Sequence, residues 1–216
     1  MTTGRLIVLE GVNGVGKTSL AKGLVARLSN LGNECRYASF PGQDPGTIGA
    51  LVYRVHHHPK EVGVSSISPT ALQMLHLAAH LDAIETKIEP RLSSGEWVVL
   101  DRYWWSTWVY GIVDGANRKV LESVSRLERR LWAQIEPSPL FLIQRKIGRR
   151  SSERVERLEL LEREYAALVR EHSGPFPVRV VNNDRSLEAT LDEMEKSVIS
   201  HRVPGSTATE RGWEEP

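Results

Sequence analysis

The chain has 216 residues, 25% of them charged, with a formal net charge of +1. That balance excludes a general attraction to nucleic acid or an acidic membrane, and the length suits one α/β domain with a proper buried core. A single cysteine, Cys35, excludes an internal disulfide and a cysteine-built metal site. With no apolar run near the ~20 residues of a membrane span and no signal-peptide core, a soluble cytoplasmic protein is expected.

Leu6-Ile7-Val8-Leu9 is a continuous apolar run of the kind a strand buried on both faces shows. Gly11-Val12-Asn13-Gly14-Val15-Gly16-Lys17-Thr18 follows it and satisfies G-x-x-x-x-G-K-[ST] at every constrained position. Leu20, Leu24, Val25, Leu28 and Leu31 then recur with helical spacing, and Gly32 stands where a C-terminal cap would be. Strand, glycine loop and helix are the context that the phosphate-binding P-loop requires. Glycines let successive backbone N–H groups point at phosphate oxygens, and the helix adds its free N–H groups and dipole. Residues Asn13 to Ser19 are therefore expected to cradle ATP, with Lys17 on the β- and γ-phosphates and the Thr18 hydroxyl on Mg²⁺.

Cys35 to Ser39 reads as a second strand ending at Phe40-Pro41-Gly42, and Gly46 to Val55 as a short helix. His56-His57-His58 is expected to be a solvated loop, since three adjacent histidines cannot all face one point. Ser68-Pro69 looks like an N-cap followed by proline at the first helical position. That helix carries Leu72, Leu75, Ala79, Ile84 and Ile88, with Pro90 kinking or ending it. His76 and His80 share one of its faces. Trp97 to Leu100 is the next buried strand, with Asp101-Arg102-Tyr103 at its C-terminal end. In a parallel α/β sheet that end faces the ligand, so Asp101 is placed to hold Mg²⁺ through water and Arg102 to bind phosphate. Val120 to Ile135 reads as a helix ended by Pro137, and Leu140 to Ile143 as a strand. A basic stretch, Gln144 to Arg157, leads into a helix with Val155, Leu158, Leu161, Tyr165 and Leu168. Val178 to Val181 is the last strand and Leu187 to Val198 the last helix, after which 204–216 is expected to be a mobile tail. The alternation argues for an α/β, three-layer P-loop NTPase fold, with a parallel sheet of about five strands covered by helices on both faces.

With these pieces placed, the chain resembles the thymidylate kinases over most of residues 5–200. The resemblance is carried by Leu9-Glu10-Gly11 into the P-loop, Phe40-Pro41, Gly95-Glu96-Trp97-Val98-Val99 before Asp101-Arg102-Tyr103, and Ser106 and Tyr110 beyond it. It implies one kinase domain over 1–203, with a lid at about 144–156. It also implies Mg²⁺, ATP and a nucleoside monophosphate as co-substrates, and a homodimer. Asn183 would lie in the loop bordering the adenine. Asn13, Phe40, Pro41, His76, His80, Arg102, Tyr103, Ser106 and Tyr110 would form the acceptor site.

The departures fall on the acceptor side. Asn13 replaces the family's usual Asp, and His76 and His80 align with an aromatic and an Arg that contact thymine. Gln43 stands near a frequent phosphate-binding Arg, Gly111 replaces a frequent Gln, and Trp104, Trp105 and Trp108 crowd the same segment. A pyrimidine nucleotide other than dTMP is therefore the expected acceptor. Val15 occupies a P-loop position where some members place an Arg, so the transferring group would need a lid cation. Arg149, Arg150 and Arg154 are the expected catalytic ones, in a pool that includes Arg145 and Lys146. Two other readings remain open at this point: a nucleoside or other small-molecule kinase using Asp101 as a base, and a nucleotide-binding regulator without turnover.

Overall fold

A computed structural model describes residues 4–132, 135–146, 152–172 and 176–200. Strand β1 (Leu6–Glu10), buried along its whole length, is the centre of the sheet. It pairs in parallel with β3 (Trp97–Asp101) on one side and β4 (Pro137–Gln144) on the other. Outside these lie β2 (Cys35–Ser39), paired with β3, and β5 (Val178–Asn182), paired with β4, giving the order β2-β3-β1-β4-β5. The chain fills one half of the sheet and then crosses β1 to build the other. Such a reversal opens a crevice outside the carboxyl ends of the strands. The register puts Asp101 beside Leu9 and Ser39, so its carboxylate arrives at the mouth of the P-loop.

Helix α1 (Lys17–Asn30) buries Leu20, Ala21, Leu24 and Leu28, one stripe of a 3.6-residue period. It packs on α8 (Leu187–Ser200), and Arg27 ties the two together through Glu188, Asp192 and Glu195. The other layer is built on α3 (Pro69–Ala83), α5 (Trp104–Val113), α6 (Arg118–Leu131) and α7 (Ser152–His172), with α5 touching all three others. Ser68 caps α3 by accepting from the Ala71 N–H, with Pro69 at the first turn, as the sequence implies.

Several elements differ from the sequence reading. Helix α2 (Ile48–His57) runs on through His56 and His57, so these two are helical, not a loop. Pro90, expected to kink or end its helix, does not end it. The chain passes through a π-turn at Ile84–Ile88 and continues as α4 (Glu89–Ser93), with the Glu89 N–H donating to the Ile84 carbonyl. A wider turn of this kind relieves the proline ring's clash with the carbonyl four residues back. Helix α6 stops at Leu131 rather than Ile135, and β4 begins three residues before Leu140, at Pro137. Helix α5 carries no helical signature in its own sequence.

Candidate active site

The P-loop is shaped by backbone constraints. Gly11 has a φ of +136°, and a Cβ there would lie 2.4 Å from the Ile143 carbonyl oxygen. Only glycine allows β1 to turn this tightly beside β4. Val15 is fully buried and anchors the loop. Asn183, expected beside the adenine, packs against the P-loop. Its buried side-chain amide donates to the Val15 carbonyl at 2.7 Å and props the loop from behind. Ser19 is exposed in the first turn of α1, with Thr18 beside it.

Lys17 folds back over the loop, its Nζ donating to the Gly11 and Val12 carbonyls at 2.8 Å each. Burial, then the charge of Arg102, lower its pKa to about 8, against the opposing pull of Asp101 and Glu10. The charged form is the one that neutralises phosphate. In the free enzyme it is lost as pH rises through about 8. The kcat/KM for ATP, which reports free-enzyme groups, is thus expected to fall above that pH. The kcat should hold to higher pH, because bound polyphosphate favours the charged lysine. A pH–rate profile at varied ATP checks this.

Thr18 Oγ1 donates to Asp101 Oδ2 at 2.5 Å, joining the two residues expected at the metal. The other Asp101 oxygen, Oδ1, is buried and has no partner among the described residues. A carboxylate oxygen buried and unpaired beside the Thr18 hydroxyl is a donor set that suits Mg²⁺, a hard cation preferring oxygen ligands.

Arg102 sits at the junction of the two halves of the site. Its backbone has a φ of +79°, a conformation that costs a residue with a Cβ about 1–2 kcal/mol. The guanidinium donates to Ser106 Oγ at 3.0 Å and to Asn13 Oδ1, and stacks over the Tyr110 ring. Tyr110 in turn accepts from the Asn13 N–H at 3.0 Å. Four expected site residues (Asn13, Arg102, Ser106 and Tyr110) therefore form one connected group.

Beneath it lies Glu10, fully buried. Its Oε1 accepts from the Tyr103 and Ser106 N–H groups, and its Oε2 from the Gly11 N–H and the hydroxyls of Ser106 and Tyr165, all within 3.2 Å. Burial raises the carboxyl pKa, while Arg102, Ser106, Lys17 and Tyr165 pull it down. Glu10 satisfies the free N–H groups at the start of α5, a capping role that the local sequence leaves open. It thereby fastens the P-loop to the Asp-Arg-Tyr segment.

A cleft of about 690 Å³ opens from Thr18, Asp101 and Arg102 toward α2 and α3. At its far end the Phe40 ring stacks on His80, centroids 3.9 Å apart and planes 15° off parallel. His80 Nδ1 lies 2.6 Å from Glu128 Oε1. His76 lines the same end, its Nε2 lying 3.1 Å from His56 Nδ1. Burial, helped by His80 and His56, pushes the His76 pKa down to about 2, so the ring is neutral. His56 and His57 line the cleft as well, which corrects their reading as a solvated loop.

Pro41 and Gln43 are on the wall. Gln73 and Thr107 join them, and Thr107 Oγ1 is buried without a partner among the described residues. Tyr103 is not in the cleft. Its ring is buried against Trp132, centroids 4.9 Å apart, and Trp104 and Trp105 are also core. Gly111 leaves a gap that Leu121 of α6 fills, its nearest methyl 2.8 Å from where a Cβ would stand.

The lid arginines Arg149 and Arg150 lie outside the described residues, as does the side chain of Arg154. Arg157, one turn further along α7, does reach the cleft, paired with Asp114 at 2.7 Å and over the Tyr110 ring. It was missed because it reads as one more charge on a basic helix. Glu128 left a signal: it falls on the buried stripe of α6 with Leu121 and Val124, where a carboxylate needs a partner.

The thymidylate kinase family model matches residues 9–172. A thymidylate kinase of Synechococcus sp. (strain CC9605) is 32% identical, covering 92% of this chain and 99% of its own. One of Chromohalobacter salexigens is 30% identical, covering 93% and 96%. Among solved structures, the thymidylate kinase of Ehrlichia chaffeensis superposes with a TM-score of 0.70 at 16% identity, covering 90% of this chain and 98% of that one. The Candida albicans enzyme gives 0.69 at 17%, covering 92% of each chain. The fold is thus that of the P-loop kinases, and on the family match and the two relatives this chain, a nucleotide kinase, belongs to the thymidylate kinase family.

Proposed function

We propose that the chain transfers the γ-phosphoryl group of ATP to the phosphate of a pyrimidine deoxynucleoside monophosphate, giving ADP and the diphosphate. The observation that carries this is Arg102, held by Asn13 and Ser106 between the P-loop and the cleft. A guanidinium fork there suits a phosphate oxygen pair. Arg157 and Lys22 add positive charge to the same wall. Of the three carboxylates lining the cleft, Asp114 is engaged by Arg157 and Asp44 by Lys87, while Asp101 is bonded to Thr18 through Oδ2 and keeps only the buried Oδ1 that suits a metal. That arrangement favours an acceptor that is already an anionic nucleophile over a neutral hydroxyl that needs a base.

In this reading the P-loop amides and Lys17 hold the β- and γ-phosphates, and Arg102 holds the acceptor phosphate in line with them. Alignment and charge neutralisation then supply the rate. Thr18 and Asp101 would hold Mg²⁺, which when bound neutralises charge on the β- and γ-oxygens. Arg149, Arg150 and Arg154 are the proposed source of the remaining lid charge, in place of an arginine at Val15.

The printed names of the relatives make dTMP the first acceptor to assay. The base end of this cleft is polar, with Gln73, His76 and the Thr107 hydroxyl, unpartnered among the described residues, on its wall. A thymine methyl would leave such groups unpaired, whereas an amino or hydroxymethyl substituent can pair with them. Buried polar groups left unpaired can discriminate by as much as about 10⁴-fold. Measured as kcat/KM over dTMP, dUMP, dCMP, CMP and 5-hydroxymethyl-dUMP, the best acceptor is expected to be a pyrimidine deoxynucleotide other than dTMP. A preference for dTMP of tenfold or more would overturn that part of the reading.

A further inference from the structure

The His80–Glu128 pair has no counterpart among the P-loop and Asp-Arg-Tyr residues that handle phosphate. His80 is 2% exposed and Glu128 fully buried, on helices α3 and α6 that are separate in sequence. Their contact, Nδ1 to Oε1 at 2.6 Å, is short enough for a charge-assisted hydrogen bond. The imidazole is pinned a second time by the face of Phe40. A ring held by one nitrogen and one face has a single orientation, and the group bonded to that nitrogen sets where the ring proton sits.

We propose that Glu128 is a positioning residue for acceptor recognition: it holds the proton of His80 on Nδ1, so that Nε2 meets the nucleobase as a hydrogen-bond acceptor. The inference rests on the pyrimidine nucleotide reading given above. A carboxylate can only accept, so the hydrogen bond requires Nδ1–H, and in the neutral ring Nε2 then carries a lone pair. Such an atom pairs with a donor on the pyrimidine edge, either an exocyclic amine or a ring N–H. The bases of dCMP and dUMP place those donors at different edge atoms, so a fixed tautomer must discriminate between them. One turn earlier His76, held neutral, lines the same end of the pocket.

The test has two arms. In the wild-type protein, ¹⁵N-histidine NMR is expected to show His80 with Nδ1 protonated and Nε2 bare. In Glu128→Leu, which removes the acceptor at similar volume, the two tautomers should mix, and the kcat/KM ratio between dCMP and dUMP should collapse about tenfold toward unity. KM for ATP should stay within about twofold. Glu128→Gln, whose carbonyl oxygen can still accept from Nδ1–H, should keep most of the discrimination.

A purely structural Glu128 would lower both acceptors by one common factor and leave their ratio alone, and that result would overturn the proposal. So would a protonated Nε2 in the wild-type spectrum, a reading that needs no variant to fold. If the wild type phosphorylates no pyrimidine nucleotide, the pyrimidine reading fails instead, and the spectrum still decides the tautomer.

Discussion

Replacing Lys17 by alanine is expected to lower kcat by about 10²–10³, the usual loss when one preorganised electrostatic donor to the transferring group is removed. The effect should fall on kcat more than on KM for ATP, because the charge matters most as the phosphoryl group moves. The fold should survive. Lys17 is buried at a desolvation cost, as its lowered pKa indicates, and its two hydrogen bonds go to loop carbonyls rather than to the core. Steady-state rates with a saturating acceptor, set beside a thermal melt, check both halves. Full activity in the alanine variant would refute the placement of ATP in the P-loop.

Arg102 gives the second large effect, and here function and stability should move apart. Truncation to alanine or glycine removes the fork proposed to hold the acceptor phosphate, and kcat/KM for the acceptor should drop by about 10²–10³ in either variant. The backbone at this position is left-handed, with φ at +79°. Alanine keeps that strain, whereas glycine relieves about 1 kcal/mol of it. Arg102→Gly should therefore melt above Arg102→Ala while being no more active. Equal melting temperatures would mean the left-handed conformation is not retained. Near-wild-type turnover in both would remove Arg102 from the site. Arg102→Lys should also stay well below wild type, because a point charge cannot replace the fork shared between Asn13, Ser106 and a phosphate.

The geometry of the P-loop and the Asp-Arg segment was legible because its constraints are local. A buried strand, glycines at fixed spacing and a helix start are contiguous in Leu6 to Leu28, and Asp101-Arg102 ends an apolar strand. The acceptor half depends on contacts between distant segments. Glu128 lies 48 residues from His80, and its only trace is a carboxylate on a buried helical stripe. Helix α5 was illegible for a different reason. Trp104 to Val113 is rich in aromatic and β-branched residues of modest helix propensity, carries a glycine, and has no polar face. Its N-terminus is capped by Glu10 across the fold, not by a neighbour. The histidine triplet misled in the same way: only the packing of α2 on α3 brings His56 to His76.

The proposed function stands on phosphate, not a hydroxyl, being the acceptor. It is tested most directly by offering a pyrimidine deoxynucleoside and its 5′-monophosphate together with γ-labelled ATP and Mg²⁺, then locating the label. Label is expected to accumulate in the β-phosphate of the nucleoside diphosphate, with none in the monophosphate. Label appearing in the monophosphate, by transfer to the nucleoside hydroxyl, or only in inorganic phosphate would contradict it.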